Sequence, residues 1–177
     1  MKISKILSKY GSDKVSGHCY GGTYNRIFER FDQNAKLNIL EIGVQRGGSV
    51  MAWAEYFPNA QVYGIDIVDV REPQFRSPRV TFILGDVHKV ELDKTFDIVI
   101  EDGSHTLPDA LFAAKKYIPK LNPGGVMVIE DVQNPRSWVR EIGKVAGIWR
   151  VLTGKFYWRD MRKVSGGFDD FLIIIKR

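Results

Sequence analysis

Residues 37–49 of the chain read LNILEIGVQRGGS, an apolar run that ends in a glycine-rich turn. Continuous apolar positions, rather than alternating ones, are typical of a strand buried on both faces of a parallel sheet. Gly43 and Gly47 let the backbone approach a ligand closely, and a helix that starts near Gly48 favours an anionic group at its N-terminus. The turn matches neither the G-x-G-x-x-G fingerprint nor a phosphate-binding P-loop. The stretch therefore predicts the first strand–turn–helix unit of an α/β fold.

Further apolar runs follow this unit at intervals that leave room for helices between them. Strands are predicted at residues 61–66, 80–84, 96–100 and 126–129. Helices are predicted at residues 49–57 and 107–121, and the second is expected to end at the Asn-Pro-Gly-Gly turn of residues 122–125. Strands that alternate with helices in this way favour one doubly wound, mostly parallel sheet.

The C-terminal part of the chain is expected to extend the same sheet. A helix is predicted near residues 136–148, and two further strands are predicted at residues 155–158 and 171–175. The turn-rich sequence Ser-Gly-Gly of residues 165–167 separates these two strands, so an antiparallel pairing at one sheet edge is expected. In total the sequence predicts a seven-stranded sheet with a C-terminal antiparallel hairpin, in one domain.

Charge is distributed unevenly along the chain, although the net charge is only +5. Residues 1–36 hold 7 Lys or Arg and 3 Asp or Glu, residues 37–135 hold 9 and 14, and residues 136–177 hold 10 and 4. The first segment also contains a Gly/Ser/His-rich loop and one amphipathic helix, predicted at residues 24–31. The acidic centre indicates that carboxylates are gathered there, while the basic ends either meet an anionic partner or only solubilise the chain.

Composition excludes several classes of protein. The chain has 177 residues, of which 44% are apolar, enough for one globular domain with a buried core and too many for a disordered chain. Its single cysteine, Cys19, argues against a disulfide framework and a cysteine-based zinc site. We identify neither a signal peptide nor the apolar run of ~18 residues that spans a membrane. A soluble cytoplasmic protein with no membrane partner is expected.

Each of the first five predicted strands ends at or beside an acidic residue. These residues are Glu41, Asp66, Asp86, Asp102 and the pair Glu130–Asp131. Helix capping accounts for about half of such acids, but not readily for all of them together. Ligands of open α/β sheets bind at this edge, where Asp66 is placed to accept from ribose hydroxyls and Asp86 from an adenine amino group. With the glycine turn, these acids predict an adenosyl pocket.

The most specific feature is the sequence Glu-Asp-Gly-Ser-His of residues 101–105, together with Glu130 and Asp131. Because the fourth and fifth strands are expected to be neighbours, the carboxylates of Asp102, Glu130 and Asp131 should converge. Three hard oxygen ligands suit Mg²⁺, Ca²⁺ or Mn²⁺, and such a cation would relieve their mutual repulsion. His105 is near enough to act as a general base on a metal-bound hydroxyl, although a histidine at a helix start also often caps or packs.

At these residues the chain resembles the class I S-adenosylmethionine-dependent methyltransferases. It is more specifically similar to the macrocin/mycinamicin-type sugar O-methyltransferases and their cephalosporin-hydroxylase-like relatives. The matching motifs are Gly11-Ser12-Asp13-Lys14 with His18 and Tyr20, then Leu40-Glu41-Ile42-Gly43-Val44, Asp102-Gly103-Ser104-His105 and Glu130-Asp131.

The resemblance implies a Rossmann-like methyltransferase core over residues 37–177, with residues 1–36 as a loop and helix that cover the cofactor site. It implies S-adenosyl-L-methionine (SAM) as the cofactor. The cofactor-binding residues that it implies are Glu41, Gly43, Gly47, Asp66, Asp86 and Asp102.

The resemblance further implies Mg²⁺, or another divalent cation, bound by Asp102, Glu130 and Asp131. His105 matches the proposed catalytic base of that family. The expected reaction is methyl transfer to a hydroxyl of a sugar or glycosylated small molecule, either a natural product or a glycan.

Other functions stay open. Basic and aromatic residues interleave over residues 149–163, a pattern that can bind RNA, so an RNA ribose is an alternative acceptor. The competing interpretation is that Phe156 and Trp158 face inward from an edge strand while Tyr157 and Arg159 face water. A catechol acceptor, homo-oligomerisation and a non-catalytic nucleotide-binding module also stay open. The absence of G-x-G-x-x-G and the acidic corner argue against a nicotinamide oxidoreductase.

Overall fold

The computed structural model describes residues 1–69 and 71–177, which form seven strands and eight helices. The strands are β1 (Asn38–Ile42), β2 (Gln61–Asp66), β3 (Val80–Leu84), β4 (Phe96–Glu101), β5 (Leu121–Ile129), β6 (Phe156–Asp160) and β7 (Phe171–Lys176). The helices are α1 (Ile3–Lys9), α2 (Asp13–Ser16), α3 (Gly21–Phe28), α4 (Gly48–Tyr56), α5 (Leu107–Tyr117), α6 (Pro135–Ala146), α7 (Ile148–Leu152) and α8 (Arg162–Ser165).

The strands join one sheet in the order β3-β2-β1-β4-β5-β7-β6. Neighbours among the first five strands are parallel, whereas β7 runs antiparallel to both β5 and β6. This confirms the predicted α/β fold, a mostly parallel seven-stranded sheet with an antiparallel C-terminal pair. The strand order changes direction between β1 and β4, and in such sheets this switch point opens a crevice at the carboxyl ends of the strands.

Both faces of the sheet are covered, which explains why the strands have continuous apolar sequences. Along β1, Ile39 and Leu40 are fully buried in different hydrophobic clusters, one on each face. Helices α1, α3 and α4 cover the first face, where the rings of Phe28 and Trp53 pack with centroids 4.9 Å apart. Helices α5 and α6 cover the second face. Each fully buried large apolar side chain contributes about 1.5–3 kcal/mol, so this two-sided burial supplies most of the driving force for the fold.

The N-terminal segment differs from the prediction of one helix over residues 24–31. It forms three helices, of which α3 begins at Gly21 and ends at Phe28. Helix α1 was not predicted, although Ile3, Ile6 and Leu7 recur at helical spacing and are all buried. The helix has no side-chain N-cap, and a helix this short is stabilised by packing against the core rather than by local signals.

Helix boundaries also shift in the rest of the chain. Helix α5 ends at Tyr117, because the strand β5 already begins at Leu121 and carries the glycine turn within it, with Gly124 at φ +83°. Helix α6 ends at Ala146, and the short helix α7 follows it. Across residues 1–69 and 71–177, none of the helices combines the length and the apolar character that crossing a membrane requires.

The two C-terminal strands pair antiparallel as predicted, from Phe156 opposite Ile175 to Asp160 opposite Phe171. Their connection contains helix α8 as well as the predicted turn. The expectation that Trp158 is turned away from water like Phe156 is wrong, since Phe156 is buried whereas Trp158 is 48% exposed. Strand β6 is the outer strand, and Trp158 lies on an open groove between this strand and helices α6 and α7.

Candidate functional site

A cavity of about 1160 Å³ opens where β1, β2, β4 and β5 end, at the switch point of the sheet. The N-terminal segment contributes Tyr10, Lys14 and His18 to its wall. Predicted site residues on the same wall are Gly43, Asp66, Asp86, Asp102, His105, Glu130 and Asp131. The fold therefore brings most of the predicted site together, while Glu41 and Gly47 are buried beside the cavity.

The turn after β1 depends on glycine for its conformation and for its close packing. Gly43 has φ +84°, and a Cβ at this position would lie 1.9 Å from the carbonyl oxygen of Asp102. Gly47 has φ +89° and immediately precedes α4. The first turn and the end of β4 consequently touch through backbone atoms, which fixes Asp102 relative to the turn.

Asp66 and Asp86 face the cavity, and both also organise their own loops. The Oδ2 atom of Asp66 accepts hydrogen bonds from the N–H groups of Val44 (2.8 Å) and Gln45 (2.9 Å). The Oδ1 atom of Asp86 accepts a 2.9 Å hydrogen bond from the N–H of His88. Asp66 thus holds the first turn in place from the end of β2. The predicted contacts of these two carboxylates with ribose and adenine stay predictions.

Glu41 is fully buried, unlike the other predicted cofactor-binding carboxylates. Its Oε2 atom accepts a 2.8 Å hydrogen bond from the indole N–H of Trp53. Its Oε1 atom lies 3.4 Å from Nζ of Lys14 and has no hydrogen-bond partner among the described residues. Burial raises the pKa of Glu41 to about 7, although Lys14 opposes this shift. The predicted role of Glu41 in cofactor binding stays a prediction.

Lys14 is the one lysine in the described chain whose ammonium is enclosed by site carboxylates. The residue is 1% exposed, and its Nζ atom lies 2.5 Å from Oδ2 of Asp102 and 3.0 Å from Oε2 of Glu130. Burial by itself lowers the pKa of a lysine, but the surrounding carboxylates more than compensate and raise the pKa of Lys14 well above its usual value. The carboxylates around it therefore stabilise the ammonium form of this side chain inside the acidic corner.

Asp102, His105 and Asp131 form the part of the corner that faces the cavity. The His105 ring lies between the two carboxylates, with Nε2 at 3.3 Å from Oδ1 of Asp102 and Nδ1 at 3.6 Å from Oδ2 of Asp131. His105 and Asp131 both have positive φ angles, of 54° and 52°. Such conformations cost non-glycine residues about 1–3 kcal/mol each and cluster at functional sites.

Two buried tyrosines from the N-terminal segment donate hydrogen bonds to the carboxylates that follow β5. The hydroxyl of Tyr20 donates a 2.7 Å hydrogen bond to Oδ1 of Asp131. The hydroxyl of Tyr24 donates to Oε1 of Glu130. Because Oε2 of Glu130 faces Lys14, both oxygens of this carboxylate already have partners. The tyrosines thus orient the pair that follows β5.

The charges of this corner shift the pKa values of its members in a consistent pattern. Burial raises the pKa of Glu130 well above its usual value and also raises the pKa of Asp131. Burial acts in the same direction on Asp102, but Lys14 and His105 outweigh it and lower the pKa of that carboxyl. The hydrogen bond with Asp102 raises the pKa of His105 to about 9. Burial therefore disfavours the charged forms of Glu130 and Asp131, while Lys14 and His105 stabilise the charged form of Asp102.

The residues of the corner fit a divalent cation. Asp102, His105 and Asp131 each offer a ligand atom, and the three atoms lie within 4.8 Å of one another. Carboxylate oxygens are the donors that Mg²⁺ prefers, and two of these three residues supply them. Glu130, the third predicted ligand, is not one of these three residues and is connected to them through its contact with Lys14.

His18 lies on the wall of the cavity. Its Nδ1 atom is 2.5 Å from Oδ1 of Asp170 and 3.5 Å from Oδ1 of Asp131. Its ring stacks on Tyr20, with centroids 5.3 Å apart. Through these contacts the loop before β7 is connected to the acidic corner.

Comparison with known proteins adds an independent observation to this geometry. Residues 40–132 match the profile of a family described as a methyltransferase domain. The matched range contains the first turn, Asp66, Asp86, Asp102 and both residues of the pair after β5. The chain belongs to this methyltransferase family.

Relatives of similar sequence are named as O-methyltransferases of glycosylated compounds. The methyltransferase chain is 36% identical, over 74% of its length, to the 8-demethyl-8-alpha-L-rhamnosyl tetracenomycin-C 2'-O-methyltransferase of Streptomyces olivaceus. It is 34% identical, over 73% of its length, to the mycinamicin VI 2''-O-methyltransferase of Micromonospora griseorubida. The chain spans only 38% and 36% of the lengths of these two relatives.

A solved structure of similar fold is that of the MycE methyltransferase from the mycinamycin biosynthetic pathway in complex with Mg and SAH. The superposition has a TM-score of 0.73 at 26% sequence identity. It covers 99% of the methyltransferase chain described here and 54% of the MycE chain. The fold predicted from the sequence is therefore that of a methyltransferase.

The sequence interpretation assigned no separate role to three residues that the structure brings to the site. These are Lys14, Tyr20 and Tyr24, all from the N-terminal segment. Lys14 and Tyr20 belong to the motif that carried the family resemblance, and that motif was the available signal. The excess of carboxylates over cations in the predicted corner was a second signal, because buried carboxylates require compensation.

Proposed function

We propose that the chain is a Mg²⁺-dependent, SAM-dependent O-methyltransferase that methylates a hydroxyl group on the sugar of a glycosylated natural product. The observation that carries the proposal is the shared cavity. The glycine turn with Asp66 lies on the same wall as the corner of Asp102, His105 and Asp131. A methyl donor and an acceptor hydroxyl bound at these two places would be side by side, which is what direct transfer requires. The names of the relatives support a sugar acceptor.

The donor would occupy the part of the cavity near the first turn. Gly43 would allow close approach of the donor there, Gly47 would shape the turn from beside the cavity, and Asp66, Asp86 and Asp102 would bind the adenosyl and amino-acid parts of the donor. Glu41 would contribute from beneath, through its contacts with Trp53 and Lys14. We further propose that residues 1–36 cover this site, since the segment contributes to the cavity wall.

The acceptor would meet the corner. The divalent cation would be held by Asp102, Glu130 and Asp131. It would lower the pKa of an acceptor hydroxyl bound beside it. The contact of His105 with Asp102 orients the ring through Nε2, and the neutral form of His105 would accept the hydroxyl proton. The acceptor oxygen then forms a bond to the methyl carbon while the bond from that carbon to sulfur breaks, releasing S-adenosylhomocysteine (SAH).

A binding measurement by calorimetry and then an activity measurement test this proposal. The purified chain is titrated with SAM and SAH, with and without Mg²⁺, and micromolar binding of both is expected. Methyl transfer is then measured on sugar-bearing natural products, with catechols and RNA oligonucleotides as competing acceptor classes. Preferential methylation of a catechol or an RNA would contradict the sugar assignment, and full activity in excess chelator would contradict the role of the metal.

A matched pair of variants assigns the metal to the corner. Asp131→Asn removes a cavity-facing carboxylate and should abolish Mg²⁺ binding while leaving SAH binding largely intact. Asp93→Asn makes the same chemical change at an exposed position and should change neither. Equal Mg²⁺ affinity in the two variants would remove Asp131 from the proposed ligand set.

A further inference from the structure

Lys14 provides a positive charge at the place where the proposed metal ligands meet. It belongs to the short helix α2 and is 1% exposed. Its backbone carbonyl accepts a 2.7 Å hydrogen bond from the N–H of Tyr20, which ties the lysine to the start of α3. The backbone of Lys14 is therefore held in place within the N-terminal segment, and its ammonium is held by the acids around it.

The ammonium uses oxygen atoms that a metal ion would need. Asp102 directs Oδ2 to Lys14 at 2.5 Å and Oδ1 to His105 at 3.3 Å. Glu130 directs Oε2 to Lys14 at 3.0 Å, and its Oε1 accepts from Tyr24. A divalent cation bound by these carboxylates would have to share their negative charge with the ammonium at a distance of a few ångströms.

Two opposite effects on the site follow from this arrangement. Lys14 compensates buried carboxylates that would otherwise repel one another, so it helps the corner to remain assembled before a metal binds. The same charge repels an incoming cation and occupies its ligands, so it weakens metal binding. A lysine outside this cluster of carboxylates would not produce the second effect.

We propose that Lys14 is a built-in counter-ion that keeps the acidic corner assembled without metal and limits its affinity for divalent cations. The inference rests on the proposed function, because it requires that Asp102 and Glu130 bind a metal. It makes Lys14 a positioning residue that sets the metal concentration at which the site is loaded. Removal of its charge should tighten Mg²⁺ binding and at the same time destabilise the metal-free protein.

The test is a calorimetric Mg²⁺ titration of the full chain and of Lys14→Met, which retains an unbranched apolar side chain. The variant should bind Mg²⁺ at least about tenfold more tightly, since two like charges a few ångströms apart repel by more than this even at an effective dielectric of 20. Its melting temperature should be lower than that of the wild type in chelator and should rise more on addition of Mg²⁺. Lys9→Met removes an exposed lysine that pairs with Glu55, and it should leave Mg²⁺ affinity unchanged.

A second variant covers the case in which Lys14→Met does not fold. Lys14→Met combined with Glu41→Gln removes one charge of each sign and leaves all three proposed metal ligands in place. It should also bind Mg²⁺ more tightly than the wild type does. Unchanged or weaker binding in the variants, with measurable binding in the wild type, would overturn this inference alone. Absence of Mg²⁺ binding in all of them would overturn the metal-dependent function and this inference with it.

Discussion

Replacement of Gly43 by alanine is expected to separate the cost of backbone conformation from the cost of close packing. At φ +84° an alanine costs about 1–2 kcal/mol relative to a relaxed conformation. Its Cβ would also lie 1.9 Å from the carbonyl oxygen of Asp102 and 2.5 Å from the carbonyl carbon. These are backbone atoms, so the end of β4 has to move, and overpacking of this kind costs about 1–3 kcal/mol more.

Gly124→Ala is the matched control for this prediction. Gly124 has φ +83°, and a Cβ there would meet nothing within 4 Å. The conformational cost and the lower entropy of the unfolded chain are therefore the same in both variants. Gly43→Ala should lower the free energy of unfolding by about 1–3 kcal/mol more than Gly124→Ala does, measured by urea-induced equilibrium unfolding.

The same pair of variants also reports on the site. Because the clash displaces the backbone of Asp102, Gly43→Ala should weaken Mg²⁺ binding, whereas Gly124→Ala should retain it. The binding is measured by calorimetry in the absence of urea, at a temperature at which both variants are folded. Equal unfolding free energies for the two variants would refute the argument that the end of β4 cannot move away from the first turn without a cost in stability.

Three further predictions concern pH, a buried donor and a helix cap. In chelator, the unfolding free energy should fall as pH rises from 6.5 to about 9, because the hydrogen bond with Asp102 raises the pKa of His105 and the folded state holds this proton more tightly than the unfolded state. His105→Gln should flatten that part of the profile, and an unchanged slope would contradict the assignment. Tyr24→Phe removes the buried donor to Glu130 and should cost about 1–3 kcal/mol in urea unfolding, a prediction that an unchanged midpoint would reject. Asn134→Ala removes the N-cap of α6 and should cost about 1 kcal/mol while SAH affinity stays the same; a change in affinity would show that α6 is coupled to the cavity.

The central sheet and the meeting of its acidic residues were predictable because the information is local. Continuous apolar runs predict strands buried on both faces, and parallel strands bring their carboxyl ends to one edge. Knowing only that Asp102 and Asp131 each follow a strand is then enough to expect them close together. In the structure they lie on either side of the His105 ring.

The N-terminal segment was less predictable because its helices are short and draw their stability from contacts with the rest of the chain. The helix α1 has 7 residues and α2 has 4, too few for local propensity to determine the conformation. The burial of Trp158 was mispredicted for a related reason. Alternation along a strand specifies two faces, but whether a given face is covered at an edge depends on what packs there.

The amino-acid sequence by itself determined the strand pattern, the glycine turn and the presence of carboxylates at the strand ends, since each follows from residues adjacent in the chain. The position of Lys14 depended on the tertiary structure, because the lysine is 88 residues away from Asp102 in sequence and reaches it only when the N-terminal helices pack onto the sheet. Burial then enforces the pairing, since an ammonium removed from water is stable only beside compensating charge.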